Sequence, residues 1–240
     1  MIHKVYFFTL SVLFSAVFIT FSISPHSRAD WALENVLILI FAVIMVWSYR
    51  KFPLSRVSYT LIFLFMVMHE IGAHYTYSKV PYDSFFLSAF NFSLNEYMGW
   101  DRNHFDRLVH FSYGLLLAYP IKELCSRVAN AEGFWGYFFP LELTMASSMI
   151  YELIEWGAAV VFGGELGMEF LGTQGDIWDA HKDMALASLG ATIAMMITMF
   201  INMRIQKNFR EEWNSSLQIK GKEPLGEDEI ARLMKTRDKV

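Results

Sequence analysis

The stretch VYFFTLSVLFSAVFITFSI, from Val5 to Ile23, decides the fold class because it is apolar, and free of charge, over the length of a membrane span. A helix needs about 20 mostly apolar residues to cross a bilayer whose hydrocarbon core is about 30 Å thick. The apolar residues form one continuous run, without the stripe of an amphipathic helix or the alternation of a strand. The segment therefore predicts a transmembrane helix.

Apolar runs of this kind recur along the 240-residue chain, which is 54% hydrophobic and only 18% charged. We therefore expect an all-α membrane protein, a bundle of about six transmembrane helices. The expected spans are Val5–Ile23, Trp31–Tyr49, Ser58–Tyr75, Phe105–Leu124, Phe134–Trp156 and Asp183–Met203. Residues 1–203 form one polytopic domain and residues 204–240 a charged cytoplasmic tail. The aromatic segment 82–98 is either interfacial or re-entrant.

The basic residues set the expected topology, because short cytoplasmic loops of membrane proteins are enriched in Lys and Arg. The loop 50–56 between the second and third spans carries three of them. With six spans, Lys122 and Arg127 after the fourth helix and the tail from Arg204 onward fall on the same side. Both termini are therefore predicted to be cytoplasmic.

The same topology brings acids and histidines from the ends of four helices to the opposite, periplasmic side. The residues concerned are His69, Glu70, His74, Asp101, His104, Asp106, His110, Glu152, Glu155, Asp176, Asp179, His181 and Asp183, with Tyr151 beside them. Lys and Arg alone set this topology, and the acids and histidines nevertheless fall on one side of it. Their positions are therefore independent evidence for a polar site.

Residue spacing strengthens this interpretation, since side chains three or four positions apart share a helix face. The pairs are Glu70 with His74, Asp106 with His110, Asp179 with Asp183, and Glu152 with Glu155. A charged side chain near lipid costs about 2.5 to 3.5 kcal/mol on insertion scales. Such groups must pair, bind a cation or line water.

Carboxylate and imidazole ligands together suit a divalent metal such as Zn, Mn, Fe or Mg. The candidate metal ligands are Glu70, His74, Asp106, His110, Glu155, Asp176, Asp179 and Asp183. The candidate catalytic residues are Asp106, His110, Glu152 and Asp179. The alternative is a structural hydrogen-bond network. In that case Asp179 complements a helix dipole, and Glu152 and Glu155 face the membrane interface.

These residues resemble those of the YjdF-type family of bacterial inner-membrane proteins. The similarity extends from about the second to the sixth span, through the stretches 69–75, 101–111, 151–155 and 172–183. It implies an inner-membrane location and no particular reaction. A more distant resemblance is to VanZ-like membrane proteins, through Asp106-Arg107-Leu108-Val109-His110-Phe111, Glu152 and the acids Asp176, Asp179 and Asp183. Asp183 stands there in place of the Asn of the VanZ-like pattern.

Three functions remain open from the sequence. The first is a metal-dependent hydrolase, or modifying enzyme, that acts on an envelope or lipid-linked small molecule. The second is an ion- or proton-coupled transporter, and the third is a non-catalytic envelope protein. The lipid bilayer is the expected partner in each case, whereas a net charge of −4 with scattered basic residues argues against nucleic-acid binding.

Overall fold

The computed structural model describes residues 2–164, 173–221 and 226–237, and these ranges contain helices and no strand. The helices are α1 (Ile2–Ser22), α2 (Arg28–Ser48), α3 (Arg56–His74), α4 (Tyr82–Phe90), α5 (Leu94–Met98), α6 (Phe105–Val128), α7 (Trp135–Phe162), α8 (Asp179–Ile205), α9 (Phe209–Ser216) and α10 (Glu227–Arg237). The all-α fold expected from the sequence is confirmed.

Five of the described helices are long and apolar enough to cross a membrane: α1, α2, α3, α7 and α8. The fourth expected span corresponds to α6, which has 24 residues but carries charged side chains near both ends. By length and composition, the structure therefore supports five candidate spans. The count of six and the orientation of the termini stay predictions.

Several helix boundaries differ from those expected, and three of these differences have a local cause. Helix α2 begins at Arg28 instead of Trp31, because the Ser27 side chain caps it by accepting a hydrogen bond from the backbone N–H of Asp30. Helix α8 begins at Asp179 instead of Asp183, with the carboxylate in its first turn, where the helix dipole favours an acid. Helix α7 runs beyond Trp156 to Phe162, since no residue interrupts it before Gly163 at φ 60°.

Helix α6 lies at the centre of the bundle and packs against α3, α7 and α8. The two helices α6 and α8 are so close at Gly114 that a Cβ atom there would collide with backbone atoms of Ala187. Gly190 approaches the backbone of α6 in the same way. Small residues at such positions let two membrane helices pack backbone against backbone.

The other end of α6 holds the loop between α2 and α3. The Glu123 carboxylate accepts hydrogen bonds from the backbone N–H of Ser55 at 2.9 Å and from Ser58 Oγ at 2.6 Å. Arg127 pairs with the same carboxylate at 2.8 Å and donates to the Pro53 carbonyl at 2.6 Å. This arrangement, the Glu123 clasp, fixes the predicted cytoplasmic end of the bundle.

The tail contributes two helices. In α9, Ser216 Oγ accepts a hydrogen bond from the Phe134 backbone N–H at 2.9 Å, so the start of the tail packs against the start of α7. Helix α10 is exposed, as expected for a solvated helix. The segment 82–98 forms the short helices α4 and α5, and the nine residues of α4 rise only about 13.5 Å, too little to cross a bilayer.

Candidate functional site

Five helices, α2, α3, α6, α7 and α8, bring acids and histidines together at one end of the bundle. We call this group the acid cluster, and its members are Asp30, Glu34, His69, Glu70, Asp106, His110, Glu152, Glu155 and Asp183. All are buried except Asp106, which is half-buried. The electrostatic neighbours of Glu155 come from four helices and include Glu34, Asp106, Glu152 and Asp183. Acids far apart in sequence therefore share one electrostatic environment.

The centre of the acid cluster is formed by Asp106, His110 and Asp183. One potential ligand atom from each lies within 4.8 Å of the others. Asp106 and His110 are one turn apart on α6, and His110 Nε2 lies 3.7 Å from Asp106 Oδ1 and 3.5 Å from Glu152 Oε1. Metal–ligand bonds of about 2.0–2.2 Å require ligand atoms at most about 4.4 Å apart, so small movements complete a site.

Two buried carboxylate oxygens at this centre have no hydrogen-bond partner within the described ranges. They are Asp183 Oδ1 and Glu152 Oε1. A buried acceptor without a partner is costly, and a bound cation is one way to satisfy it. The arrangement can therefore accommodate a positive charge.

Asp176 and Asp179 lie beside the acid cluster and pair with basic side chains. Arg102 forms a bidentate ion pair with Asp179 at 2.6 and 3.2 Å, and Arg107 lies 2.5 Å from Asp176 and 3.3 Å from Asp179. Hydrogen bonds from Lys182, the Trp178 backbone and Arg107 hold the pKa of Asp176 well below its usual range. These two acids thus already face cationic partners within the protein.

The two arginines were not singled out by the sequence analysis. Arg102 and Arg107 are largely buried, with side chains 13% and 15% exposed. The signal that could have identified them is their position beside Asp101, Asp106 and His110, at the start of the helix that carries the candidate ligands. Guanidinium groups recognise carboxylate and phosphate alike.

The acids of α2 were also missed, because the expected span began at Trp31 and was treated as apolar. Asp30 and Glu34 are buried, and Glu34 Oε2 accepts a hydrogen bond from Tyr151 Oη at 2.9 Å. Their spacing of four residues is the same signal that identified Asp106 and His110. It would have added α2 to the helices that form the site.

The candidates on α3 are divided between two environments. Glu70 is completely buried, and neither carboxylate oxygen has a hydrogen-bond partner in the part of the chain that the structure describes. His69 Nδ1 lies 2.6 Å from Tyr77 Oη. His74 turns toward α1, where its Nδ1 lies 2.8 Å from the Phe21 carbonyl oxygen. The structure therefore does not bring His74 to the centre of the acid cluster.

Asp101, His104 and His181 lie outside the acid cluster. Asp101 and His181 are exposed, and the His104 ring stacks on Trp100 at 4.2 Å. Burial lowers the pKa of His104, and Arg107 and Arg102 lower it further. These residues border the site rather than form its centre.

A largely apolar cavity of about 600 Å³ begins at the acid cluster. At that end Glu34, Asp106 and His110 line it, and the cavity then runs between α2, α3, α6 and α7. It reaches Phe52 and Leu124 near the Glu123 clasp. The acid cluster thus lies at one end of a long, largely apolar cavity.

Comparison with known proteins supports the closer of the two resemblances, the one to the YjdF-type family. The family described as predicted membrane protein (DUF2238) matches residues 6–204. The inner membrane protein YjdF of Escherichia coli (strain K12) is 34% identical over 202 residues, which cover 84% of this chain and 92% of that protein. No solved structure matches, and nothing in these comparisons supports the more distant VanZ-like similarity. The chain therefore belongs to the DUF2238 family of membrane proteins.

Proposed function

We propose that this chain is a multi-pass inner-membrane protein whose acid cluster binds a divalent cation and hydrolyses or modifies a lipid-linked or envelope phosphate compound. The observation that carries the proposal is the convergence of Asp106, His110 and Asp183, with ligand atoms within 4.8 Å of one another. The similarity to an inner membrane protein supports the location.

We assign α6 as a sixth span, with both termini cytoplasmic and the acid cluster at the periplasmic face. The support is physical: α6 packs among three of the candidate spans, α3, α7 and α8. Its end at the Glu123 clasp adjoins the loop that carries Arg50 and Lys51, as the excess of basic residues in cytoplasmic loops requires. A helix surrounded by spans needs a less apolar surface than one that faces lipid.

The cation would be Zn, Mn, Fe or Mg. His110 favours one of the first three, because Mg prefers oxygen ligands and water, whereas imidazole suits the transition metals. Asp106, His110 and Asp183 are the proposed ligands, and Glu152 is 3.5 Å from His110. Glu70 and Glu155 are further buried acids of the same cluster and are candidate ligands from the other helices.

A cation at this site would lower the pKa of a bound water to about 7. Glu152, which lies 3.5 Å from His110, would accept the proton of a water that attacks phosphorus. The ester P–O bond would break as the new bond forms, and the leaving oxygen would take a proton from solvent. Arg102 and Arg107 orient the phosphate oxygens, and Asp179 holds both guanidinium groups in position.

The first test is elemental analysis of the purified, detergent-solubilised protein after incubation with each metal and removal of the excess. We expect one equivalent of metal in the parent chain and its loss in Asp183→Asn and in His110→Ala. Asp101→Asn is the matched control, because Asp101 is an exposed acid on the same side of the bundle. All variants must show equal helicity.

Metal retained by both ligand variants, or absent from the parent with every ion tested, would contradict the cation site. The protein that binds metal is then assayed for phosphate release from lipid phosphate esters in detergent micelles. Asp179→Asn should reduce that release while metal content is unchanged, since Asp179 acts through the arginines.

Transport is the second candidate, and the acids of α2 and α3 favour it. Asp30, Glu34 and Glu70 are buried acids in addition to the three proposed ligands, which a hydrolytic centre does not require. The apolar lining of the cavity toward Phe52 and Leu124 offers no polar route onward. Cation or proton flux through the purified protein in liposomes, lost in Glu34→Gln, would favour transport. Absence of metal, phosphate release and flux would leave a non-catalytic envelope protein.

A further inference from the structure

We propose that the apolar cavity receives one hydrocarbon chain of a membrane lipid and places the phosphate headgroup of that lipid at the acid cluster. The position of the headgroup rests on the proposed function, whereas the seat for the chain depends on the cavity alone. The substrate class is thereby narrowed to phosphate-bearing lipids that enter from the bilayer.

The cavity has the length that a lipid chain needs. Along α2 its lining runs from Glu34 to Ser48, a separation of fourteen positions that corresponds to a rise of about 21 Å. One leaflet of the hydrocarbon core is about 15 Å deep, half of the full thickness. The cavity is therefore longer than one leaflet is deep, and it runs along α2, a candidate membrane-spanning helix.

The cavity also opens sideways. Leu37 and Ile44 on α2 and Leu124 on α6 line it, and all three are exposed at the surface of the bundle. Helix α2 packs on α3, and the hydrogen bond between Tyr151 and Glu34 ties it to α7 at the polar end. A hydrocarbon chain can thus enter from the bilayer between this hydrogen bond and the far end of the cavity, without passing through water.

Hydrocarbon is the occupant that the lining favours. A water molecule needs two to four polar partners. In the middle of the cavity most side chains are apolar, and the hydroxyl of Ser147 is already bonded to Tyr113 and to the Leu143 carbonyl. The Ser148 hydroxyl has no hydrogen-bond partner within the described ranges, but one such group is fewer than a water molecule needs. An empty space of this size would forfeit dispersion contacts on every wall. Lipid chains surround the opening and fill it without loss of hydrogen bonds.

The polar groups at one end give the seat a direction. Glu34, His69, Asp106 and His110 line the end at the acid cluster, whereas the far end is formed by Phe52, Leu54 and Leu124. Beside the polar end, Arg107 Nε is buried without a hydrogen-bond partner within the described ranges and can donate to a phosphate oxygen. The headgroup therefore lies at the acid cluster and the chain end near the Glu123 clasp.

The test uses phosphatidic acid with a diazirine at the end of one acyl chain, in phosphatidylcholine vesicles that contain the full-length protein. After illumination, we expect labelled peptides to contain the far-end segments 48–54 and 120–124. Leu117→Trp, which fills the middle of the cavity, should abolish this labelling. Ile197→Trp is the matched control, because Ile197 is 52% exposed on α8 and does not line the cavity.

If Leu117→Trp does not fold, Met45→Trp on α2 obstructs the same cavity from the opposite wall. Labelling spread over the exposed faces of α1 and α8, or unchanged by the obstructing variant, would overturn the inference. The experiment is repeated with EDTA and with Asp183→Asn. Far-end labelling that persists in both supports the chain seat even if the metal analysis fails, and metal binding without far-end labelling refutes the seat while the cation site stands.

Discussion

At the scale of single residues, Glu70 and Glu123 occupy opposite situations on two neighbouring helices. Glu70 is completely buried with no hydrogen-bond partner in the described ranges, whereas the Glu123 carboxylate accepts hydrogen bonds from Ser55, Ser58 and Arg127. A buried acceptor left unpaired costs about 1–3 kcal/mol. The same substitution should therefore have opposite effects at the two positions.

We predict that Glu70→Leu raises the free energy of unfolding by about 1 kcal/mol, because it removes an unpaired buried carboxyl group. The matched variant Glu123→Leu should lower it by about 1–3 kcal/mol, since the donors of Ser55 and Ser58 lose their acceptor. Thermal unfolding in one detergent measures both. A lower stability of Glu70→Leu that appears only in metal-loaded protein would instead identify Glu70 as a cation ligand, as its residue type suggests.

The sequence predicted which kinds of residue gather at the site but not how they pair. Spacing placed Asp106 with His110, and the structure brings them to Asp183 as the topology implied. Spacing within a helix does not show which side chains of another segment contact that helix. It therefore did not identify the arginines that contact Asp176 and Asp179. His74 shares a helix with Glu70, yet it bonds to the end of α1.

At the scale of helices, the contact between α6 and α8 sets the geometry of the site. Asp106 and His110 lie on α6 and Asp183 lies on α8, so the distance between the helices fixes the distance between the proposed ligands. At Gly114 the backbone of α6 lies so close to that of α8 that no side chain fits between them. The site therefore depends on a residue without a side chain.

We predict that Gly114→Ala destabilises the protein by about 1–3 kcal/mol, the range for inserting a methyl group into a packed interior. The new Cβ would meet the backbone of Ala187, which cannot rotate away. Gly157→Ala on α7 is the control, because nothing lies within 4 Å of the added Cβ there. That variant should be neutral or stabilising by up to about 1 kcal/mol. Equal unfolding temperatures for the two would contradict the close contact.

Hydropathy predicted the helices well, because apolar runs of membrane length have few other structures available to them. It predicted their ends less well, because ends depend on single capping interactions. Ser27 starts α2 earlier than the apolar run does, and this difference brought Asp30 into the helix. The short helices of the segment 82–98 have no such run and could not be assigned.

At the scale of the whole molecule, the number of spans decides which side of the membrane each loop occupies. Cys125 is the one cysteine of the chain, so Cys125→Ala gives a background for single-cysteine labelling. With six spans, we predict that Asp101→Cys reacts with a membrane-impermeant maleimide in intact cells. Lys51→Cys and Lys220→Cys should react only after permeabilisation.

Labelling of Lys220→Cys in intact cells would place the tail outside and would show that α6 does not cross. Asp101 and Lys220 are exposed, so absence of labelling cannot arise from burial within the chain. The global arrangement was predictable to the extent that basic residues report topology. The cavity was not, because its walls come from four helices whose relative positions no local pattern encodes.

The pairing of α6 with α8 has a consequence for how the protein is made. Helix α6 is the least apolar of the long helices in the described ranges, and α8, the partner that fits its glycine, comes later in the chain. We therefore expect α6 to stay beside the translocon, or to be held by α3, until residues 179–205 have emerged. A chain that stops before Asp179 would lack both a proposed ligand and the surface against which α6 packs, and we expect quality-control proteases to remove it.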